Sequence, residues 1–222
     1  MGFRYDDLIG TLRAAYDDGA DRREAAPKES WKLAERATFL GRLRAAGCVR
    51  LLEVGAGTGQ DSAFFQDEGL AVVATDLSPV MVEHCRGKGI EAHVRDFLNL
   101  GFPPGSFDAV YALNCLLHVP NRELPAVLAA LHAVLRPGGL FYLGVYGAAD
   151  SGEGTHDWDD HRPRRFFSWR TDEQIQRFAT GLFDLVDFHV IPMDGFDFQS
   201  LTLRRPGPAK AGSPISTVPT VR

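Results

Sequence analysis

The chain has 222 residues, 45% of them hydrophobic, and a formal net charge of −5. This length and hydrophobic share suit one globular domain, with or without an appended lid, whose core needs no disulfide or metal. The acidic balance disfavours general nucleic-acid binding, which depends on Lys and Arg that neutralise phosphates.

The cysteines Cys48, Cys85 and Cys115 lie far apart and form no CxxC pair. Neither a disulfide framework nor a zinc knuckle is therefore expected. The first residues lack the apolar core of a signal peptide, and no run reaches the ~18 apolar residues of a membrane helix. We expect a soluble, cytoplasmic monomer or homodimer that has no membrane or nucleic-acid partner.

Residues 1–48 show helical periodicity and no strand pattern. Leu8 and Leu12 recur at helical spacing in a first segment, and a second such segment contains Leu40. The polar stretch between the two segments, residues 17–29, is predicted to be a loop. We interpret residues 1–48 as an N-terminal helical cap over the rest of the protein.

From residue 49 onward, short apolar runs alternate with helical segments. The runs predict strands at 49–54, 71–75, 90–94, 107–113 and 140–145. The helical segments lie near 61–68, 79–86 and 122–135. This alternation is typical of βαβ units and of a parallel sheet that is buried on both faces. Residues 49–205 are therefore predicted to form the core domain.

The last third of the chain changes character. Residues 147–170 show no periodicity and are predicted to form a lid loop, since long loops in compact domains tend to be functional. A helix near 171–179 precedes strands near 185–191 and 198–203, which turn residues join into an antiparallel hairpin. Residues 206–222 are rich in Pro, Ser, Thr and Gly, and we expect them to be disordered.

A glycine-rich turn, GAGTG at 55–59, connects the first predicted strand to a helix. Glycines let a ligand approach the backbone closely, and the free N–H groups of the helix start point at that ligand. Such turns lie at the carboxyl edge of an open parallel sheet, where nucleotide-like ligands bind. The dinucleotide fingerprint GxGxxG is incomplete, because its last position is Gln60.

Acidic residues follow the next two predicted strands. Asp76 ends the second strand, where its carboxylate can accept both hydroxyl groups of a ribose; helix capping is the alternative, but Ser78 is the better cap. Asp96 follows the third strand and can accept an adenine amine while Phe97 packs near the ring. Asp96 can equally be an ordinary turn residue.

The order of these motifs resembles the class I S-adenosylmethionine-dependent methyltransferases, and within them the small-molecule branch called type 11. The resemblance includes EVGAGTG at 53–59, Asp76, Asp96, FDAV at 107–110 and LRPGG at 135–139. It covers roughly residues 49–146, with looser agreement to about residue 204. Each motif alone has modest specificity, whereas their joint order is highly specific.

The resemblance implies a Rossmann-like α/β fold: a three-layer sandwich around a seven-stranded, mostly parallel sheet with one antiparallel strand. It implies S-adenosylmethionine as the cofactor. The implied reaction is in-line methyl transfer to an O, N or C atom of a small organic molecule, which releases S-adenosylhomocysteine. The cofactor-binding residues that it implies are Glu53, Gly55, Ala56, Gly57, Gly59, Asp76, Leu77, Asp96, Phe97 and Asn114.

Methyl transfer needs mainly proximity and orientation, but a weak nucleophile must also lose a proton. His118, just past the fourth strand, is either that general base or a histidine bonded to the backbone that positions the next helix. His156 and His161 in the lid are alternative bases. The lid also has carboxylates beside these histidines, but no regular ligand spacing, so no metal is expected.

Several aromatic residues are candidates for an acceptor pocket, and core packing is the alternative for each of them. They are Tyr5, Tyr16, Trp31, Tyr146, Phe167 and Trp169. Three lid arginines, Arg162, Arg164 and Arg165, either bind an anionic or aromatic substrate or remain solvated.

Two other classes of function stay open. Methyl transfer has no obligatory catalytic residue, so the chain can also be a non-catalytic S-adenosylmethionine-binding sensor or scaffold. A nicotinamide-dependent oxidoreductase is the third hypothesis. Gln60 and the lack of a Tyr-x-x-x-Lys dyad disfavour it.

Overall fold

The computed structural model describes residues 2–207. Its helices are α1 (Tyr5–Asp18), α2 (Ala20–Ala25), α3 (Ser30–Ala45), α4 (Gln60–Asp67), α5 (Pro79–Gly87), α6 (Leu124–Val134) and α7 (Asp172–Thr180), with a 3-10 helix at Leu116–His118. Its strands are β1 (Arg50–Val54), β2 (Ala71–Asp76), β3 (Glu91–Val94), β4 (Phe107–Leu113), β5 (Leu135–Gly147), β6 (Gly152–Thr155), β7 (Phe166–Trp169), β8 (Asp184–Pro192) and β9 (Asp197–Arg204). Most of the predicted disordered tail, residues 208–222, lies outside the described residues.

Seven strands form the central sheet in the order β3-β2-β1-β4-β5-β9-β8. The pairs from β3 to β5 are parallel, and β9 runs antiparallel to both β5 and β8. The predicted Rossmann-like fold with one antiparallel strand is thus confirmed. The order reverses between β1 and β4, and a crevice for ligands opens at the carboxyl ends of strands on either side of such a switch point.

Adjacent residues of the central strands pack into different cores. Leu52 and Val110 belong to a core that α6 helps to cover, whereas Leu51 and Tyr111 pack against Phe39 of α3 on the other face. This alternation explains why these strands read as continuous apolar runs. It also places most of α3 in the layer that covers the sheet, whereas α1, α2, the connection after α2 and Lys32 at the start of α3 reach the crevice.

Two segments predicted to be loops contain regular structure. In the predicted lid, residues 147–170, β6 pairs with β7 as a separate antiparallel ribbon. The ribbon could not be predicted from the sequence for two reasons. Strand β6 is rich in glycine, and β7, which packs against the 3-10 helix, shows no alternation of buried and exposed residues. Within residues 17–29, α1 continues to Asp18 and α2 follows. In the described part of the chain, no helix has both the length and the apolar character that crossing a bilayer requires.

Hydrogen bonds of Glu35 connect α3 to β5, β8 and β9 of the central sheet. Its carboxylate lies 7% exposed and accepts hydrogen bonds from Tyr142 Oη at 2.9 Å, Ser200 Oγ at 2.5 Å and His189 Nε2 at 3.0 Å. His189 Nδ1 also contacts Asp187 at 2.9 Å. Burial alone would lower the pKa of His189, but the hydrogen bonds to Glu35 and Asp187 outweigh burial and raise it.

We expect the link between His189 and Glu35 to make stability depend on pH. Because the folded-state pKa of His189 is raised, its contribution is fully present below the unfolded-state pKa and is lost as pH rises through the folded-state pKa. The side chain is 40% exposed, so the effect should stay below about 1 kcal/mol. Urea unfolding between pH 5 and 9 measures it, and His189→Gln should flatten the alkaline part of the curve. An unchanged slope in His189→Gln would contradict the assignment.

Candidate active site

The predicted glycine-rich turn joins β1 to α4, and its glycines adopt a backbone conformation that other residues rarely take. Gly55, Gly57 and Gly59 have φ of 63°, 56° and 81°, in the left-handed region that favours glycine. A Cβ on Gly55 would lie 2.4 Å from Cβ of Cys115, which is closer than real atoms approach. The turn therefore requires glycine at position 55 for both conformation and space.

Asp76 holds this turn from the end of β2. Its Oδ2 accepts the N–H of Gly57 at 2.8 Å, and its Oδ1 accepts the N–H of Ser78 at 2.9 Å. Burial raises the pKa of Asp76, while these two backbone hydrogen bonds lower it in part. Ser78 caps α5 by accepting the N–H of Met81 at 3.0 Å, as predicted, so Asp76 remains at the crevice.

A first cavity, with a volume of about 200 Å³, lies beside the glycine turn. Two acidic residues, Glu53 and Asp61, are among its lining residues. Glu53 is buried and accepts the hydroxyl proton of Ser62, and burial together with the nearby Asp61 raises the pKa of Glu53. Asp61 is paired with Lys28 and with Arg36, the latter at 3.0 Å. Sequence reasoning missed this ion-pair cluster, because its cations come from the N-terminal segment.

The second cavity lies beside the first one, under α1. Its lining residues are Tyr5, Leu12, Tyr16, Arg23, Gly55, Gly57, Asp76, Leu77, Arg95, Phe97, Asn114, Cys115 and His118. The structure thus brings together most of the residues predicted to bind the adenosine part of the cofactor. Tyr5 also stacks on Phe97, with ring centroids 5.8 Å apart.

Asp96 does not line either of these two cavities. Its Oδ1 accepts the N–H groups of Leu98 at 2.8 Å and Asn99 at 2.9 Å, which is the turn role that the sequence left open. The contact of Asp96 with an adenine amine therefore stays a prediction. Its neighbours Arg95 and Phe97 face the second cavity instead.

Asn114 lies where the two cavities meet, directly after β4. Its φ of 52° is unusual for a residue other than glycine, and its N–H donates to Gly144 O at 2.7 Å. Its Oδ1 is buried and has no hydrogen-bond partner among the described residues. Buried acceptors are normally satisfied, so this atom is well placed for a ligand donor.

Arg23 lines both cavities, although the sequence placed it in a loop. A Cβ on Gly57 would lie 3.1 Å from Arg23 Nε, so the guanidinium side chain lies directly over the glycine turn. Composition and periodicity contain no signal for this placement. Arg23 belongs to α2, which follows α1 almost without interruption.

His118 is buried and hydrogen-bonded at both ring nitrogens. Nδ1 lies 2.6 Å from Phe166 O, which can only accept, so Nδ1 carries the proton. Nε2 lies 2.5 Å from Tyr16 Oη and accepts that hydroxyl proton. Burial lowers the pKa of His118 to about 3, which keeps the ring neutral. The backbone bond that the sequence offered as an alternative is present, and the role of His118 as a base stays a prediction.

The other two candidate bases lie in the lid, each with a partner. His156 Nε2 accepts the indole N–H of Trp169 at 2.7 Å. His161 Nδ1 contacts Asp159 at 3.1 Å. Asp159, Asp160 and His161 place possible ligand atoms within 4.8 Å of one another. However, Asp159 is already bonded to Arg165, whose Nη2 lies at 2.8 Å, so the cluster serves as an ion-pair network in the lid.

A buried arginine joins the lid to the loop that contains His118. Arg170 is only 1% exposed, and its guanidinium donates to Leu116 O, Val119 O and Asn121 Oδ1 at 3.3, 2.5 and 2.7 Å. Burial lowers the pKa of Arg170 to about 10. Arg170 therefore fixes the position of the 3-10 helix relative to β7.

The predicted acceptor aromatics divide into separate groups. Tyr5 and Tyr16 line the second cavity, whereas Tyr146 and Trp169 line a third cavity of about 540 Å³. Phe167 is buried behind His118, with ring centroids 5.0 Å apart. Trp31 packs on Phe198 at 4.4 Å and lines none of these three cavities.

Residues 51–139 match the family model described as methyltransferase domain. A ubiquinone biosynthesis O-methyltransferase of Xanthomonas oryzae pv. oryzae is 31% identical over 159 residues, which are 61% of this chain and 65% of that protein. The chain thus spans less than two thirds of the length of this curated relative.

Solved structures share the fold. The crystal structure of Burkholderia thailandensis 1,6-didemethyltoxoflavin-N1-methyltransferase, with bound 1,6-didemethyltoxoflavin and S-adenosylhomocysteine, aligns with a TM-score of 0.75 and 22% identity over 92% of this chain and 91% of that one. The [4+2]-cyclase SpnF aligns with a TM-score of 0.65 and 21% identity over 83% of this chain and 86% of that one. Residues 51–139 are thus similar to a methyltransferase domain, and the Rossmann-like fold that the ordered motifs predicted is shared with a solved methyltransferase.

Proposed function

We propose that this protein transfers the methyl group of S-adenosylmethionine to an O, N or C atom of a small organic molecule. One observation supports this most directly: a left-handed glycine turn held by Asp76 adjoins Asn114 at the switch point of the sheet, and the buried Oδ1 of Asn114 has no partner within residues 2–207. We place the reaction in the cytoplasm, in a monomer or homodimer without a membrane or nucleic-acid partner.

The residues at the crevice fit the cofactor. Asp76 would hold the ribose, because its carboxylate is already oriented by two backbone N–H groups. Leu77 and Phe97 would pack on the adenine, and Gly57 and Asn114 would lie along the methionine part. When bound, S-adenosylmethionine supplies an activated methyl group on its sulfonium, and transfer breaks the S–CH₃ bond and leaves a neutral thioether.

The contribution of the chain is mainly orientation and exclusion of water. Helix α1 covers the second cavity, and the side chain of Arg13 donates to Leu77 O at 3.2 Å, which ties this helix to the end of β2. Holding donor and acceptor in a reactive geometry can account for several kcal/mol of a barrier, on the order of 7–11 in favourable cases.

We assign removal of the acceptor proton to Tyr16 and His118 acting together. The proton of an acceptor O–H or N–H would pass to Tyr16 Oη, while the hydroxyl proton of Tyr16 passes to His118 Nε2. Because burial lowers the pKa of His118, this shift would occur only together with methyl transfer and not before it. Arg165 Nη1 donates to Tyr16 Oη at 3.3 Å and stabilises negative charge on that oxygen. His156 and His161 line neither cavity of the crevice, whereas Tyr16 and His118 line the second one, so we place the proton route at Tyr16.

Tyr16→Phe should lower kcat by about 100-fold for a hydroxylic acceptor, within the usual range of general acid–base catalysis. The affinity for S-adenosylhomocysteine should change little, since the ring itself remains. Tyr111→Phe is a matched control, because the Tyr111 hydroxyl is buried without a partner in the described part of the chain. A kcat in Tyr16→Phe equal to that of the wild type would exclude this proton route.

The proposed function is tested first by calorimetric titration with S-adenosylmethionine, S-adenosylhomocysteine and, as a control, NAD. Saturable binding of the first two, followed by S-adenosylhomocysteine formation with a panel of phenols, heteroaromatic N–H compounds and carbon acids, would support it. Binding without turnover across the panel would favour a sensor or scaffold. Binding of NAD alone would favour an oxidoreductase.

A further inference from the structure

The third cavity has a distinct chemical character. It lies between the end of β5, the lid and the turn that joins β8 to β9. Its lining residues are Tyr146, Ala148, Trp158, Trp169, Gly195 and Phe196. We call this cavity the aromatic chamber. Its volume of about 540 Å³ falls within the range of small-molecule sites, which are mostly apolar.

The aromatic rings of the chamber form one connected wall. Ring centroids lie 4.9 Å apart for Tyr146 and Phe196, 5.9 Å for Phe196 and Trp169, and 6.2 Å for Trp169 and Trp158. Edge-to-face contacts of this kind hold the ring faces in place. At the mouth, Trp158 is 58% exposed, which is an apolar surface that a stacked ligand would bury.

His156 fixes the orientation of the two tryptophans. Its Nε2 accepts the indole N–H of Trp169 at 2.7 Å, and its ring stacks on Trp158 with centroids 5.4 Å apart and planes 15° apart. A polar side chain used in this way orders apolar rings before any ligand arrives. Such preorganisation lowers the entropic cost of binding.

The chamber adjoins the cofactor crevice. Tyr146, at the end of β5, is part of the chamber wall, and the side chain of Asn114 lies beside its hydroxyl. Asn114 in turn lines both cavities of the crevice. A molecule in the chamber would therefore lie next to the site where the cofactor is expected.

The wall of the chamber is uncharged. None of its six lining residues has an acidic or a basic side chain. The charged neighbours that affect the pKa of Tyr146 include both signs, Glu29 on one side and Arg23 and Arg165 on the other. The wall therefore offers no carboxylate that would pair with an ammonium group, and only the aromatic rings themselves would attract such a group.

Resting on the proposed function, we propose that the aromatic chamber binds the methyl acceptor, and that this acceptor is a planar, uncharged or weakly acidic aromatic molecule. Trp158 and Trp169 select it by stacking, and His156 is a positioning residue that acts through Trp169. Saturated molecules of the same size lack a ring face for stacking, and quaternary ammonium compounds find no carboxylate in the wall, so we expect both to bind more weakly.

The test uses three probes, titrated calorimetrically into the full chain with and without saturating S-adenosylhomocysteine. They are 2-naphthol, its saturated counterpart decahydro-2-naphthol, and choline. We expect 2-naphthol to bind about tenfold more tightly than the other two. Equal binding of the saturated alcohol, or stronger binding of choline, would overturn the assignment of an aromatic acceptor.

Variants then locate the binding site. Trp158→Leu and Trp169→Leu should each weaken 2-naphthol binding about tenfold and leave the affinity for S-adenosylhomocysteine unchanged, which also shows that they fold. His156→Ala should weaken it too, and His156→Gln, which can still accept the indole proton, should restore it. Trp31→Leu is the matched control and should bind like the wild type, because Trp31 lies outside the chamber.

The two proposals fail in different ways. If the wild type does not bind S-adenosylhomocysteine, the proposed function is wrong, whatever 2-naphthol does. If S-adenosylhomocysteine binds but Trp169→Leu leaves 2-naphthol binding unchanged, or Trp31→Leu weakens it equally, only the assignment of the chamber is wrong.

Discussion

Replacing Asp76 by alanine is expected to weaken binding of S-adenosylhomocysteine by at least about 100-fold, or ~2.7 kcal/mol. The substitution removes the oxygens that we expect to accept the ribose hydroxyls. It also leaves the N–H groups of Gly57 and Ser78, at 2.8 and 2.9 Å from those oxygens, without their acceptor. Unpaired buried donors are costly, at about 1–3 kcal/mol each, and here they would loosen the glycine turn itself.

Asp76→Asn separates these two effects. The amide can accept from one backbone N–H but presents its own donor to the other, so we expect binding between that of the wild type and that of Asp76→Ala. Asp67→Ala, on the exposed surface of α4, is the control and should bind normally. Calorimetry measures all three variants. Wild-type affinity in Asp76→Ala would remove Asp76 from the cofactor site.

Gly55→Ala should destabilise the protein by about 3 kcal/mol and also weaken cofactor binding. Two costs combine, since a left-handed conformation costs a residue with a Cβ about 1–2 kcal/mol, and overpacking adds about 1–3 kcal/mol. The new methyl group would meet Cβ of Cys115 at 2.4 Å and its Sγ at 3.0 Å. Cys115 is buried in the main core, so it has little room to move.

Gly47→Ala provides a matched control for the conformational cost. Gly47 has a φ of 62°, almost identical to the 63° of Gly55, but nothing lies within 4 Å of the position of a Cβ. We expect Gly47→Ala to cost about 1 kcal/mol, with no effect on binding. Urea unfolding of both variants isolates the steric cost. Equal destabilisation of the two would show that the contact with Cys115 is unimportant.

The central half of the chain could be predicted well, because its signals are local. Apolar runs marked the strands from β1 to β5, and the strand-to-helix turn at residues 55–59 indicated where a ligand approaches the backbone. Ser78 and Pro79 marked the start of α5 through capping and backbone restriction. These features depend only on residues that are close in the chain, so they can be predicted from the sequence.

The acceptor side could be predicted only as a collection of aromatic residues. Trp31 and Trp169 look alike in the sequence, but one packs on Phe198 under α3 and the other faces the chamber. Trp158, which lies at the mouth of the chamber, was not among the predicted acceptor residues. The ribbon of β6 and β7 places these rings, and its pairing is invisible in a stretch without periodicity.

By itself, the sequence determined the order of the strands from β1 to β5 and of the helices between them, the glycine turn and the acidic residue that ends β2. The joint order of these features also gave the resemblance to the S-adenosylmethionine-dependent methyltransferases. Only the tertiary structure decided that Arg23 lies over the turn, that His118 is bonded to both Tyr16 and Phe166 O, and that the tryptophans of the lid enclose a cavity. The physical reason is the separation along the chain of the residues that interact. Propensity, capping and turn geometry act over a few residues, whereas these contacts join segments that are distant in the chain and form only when the core packs.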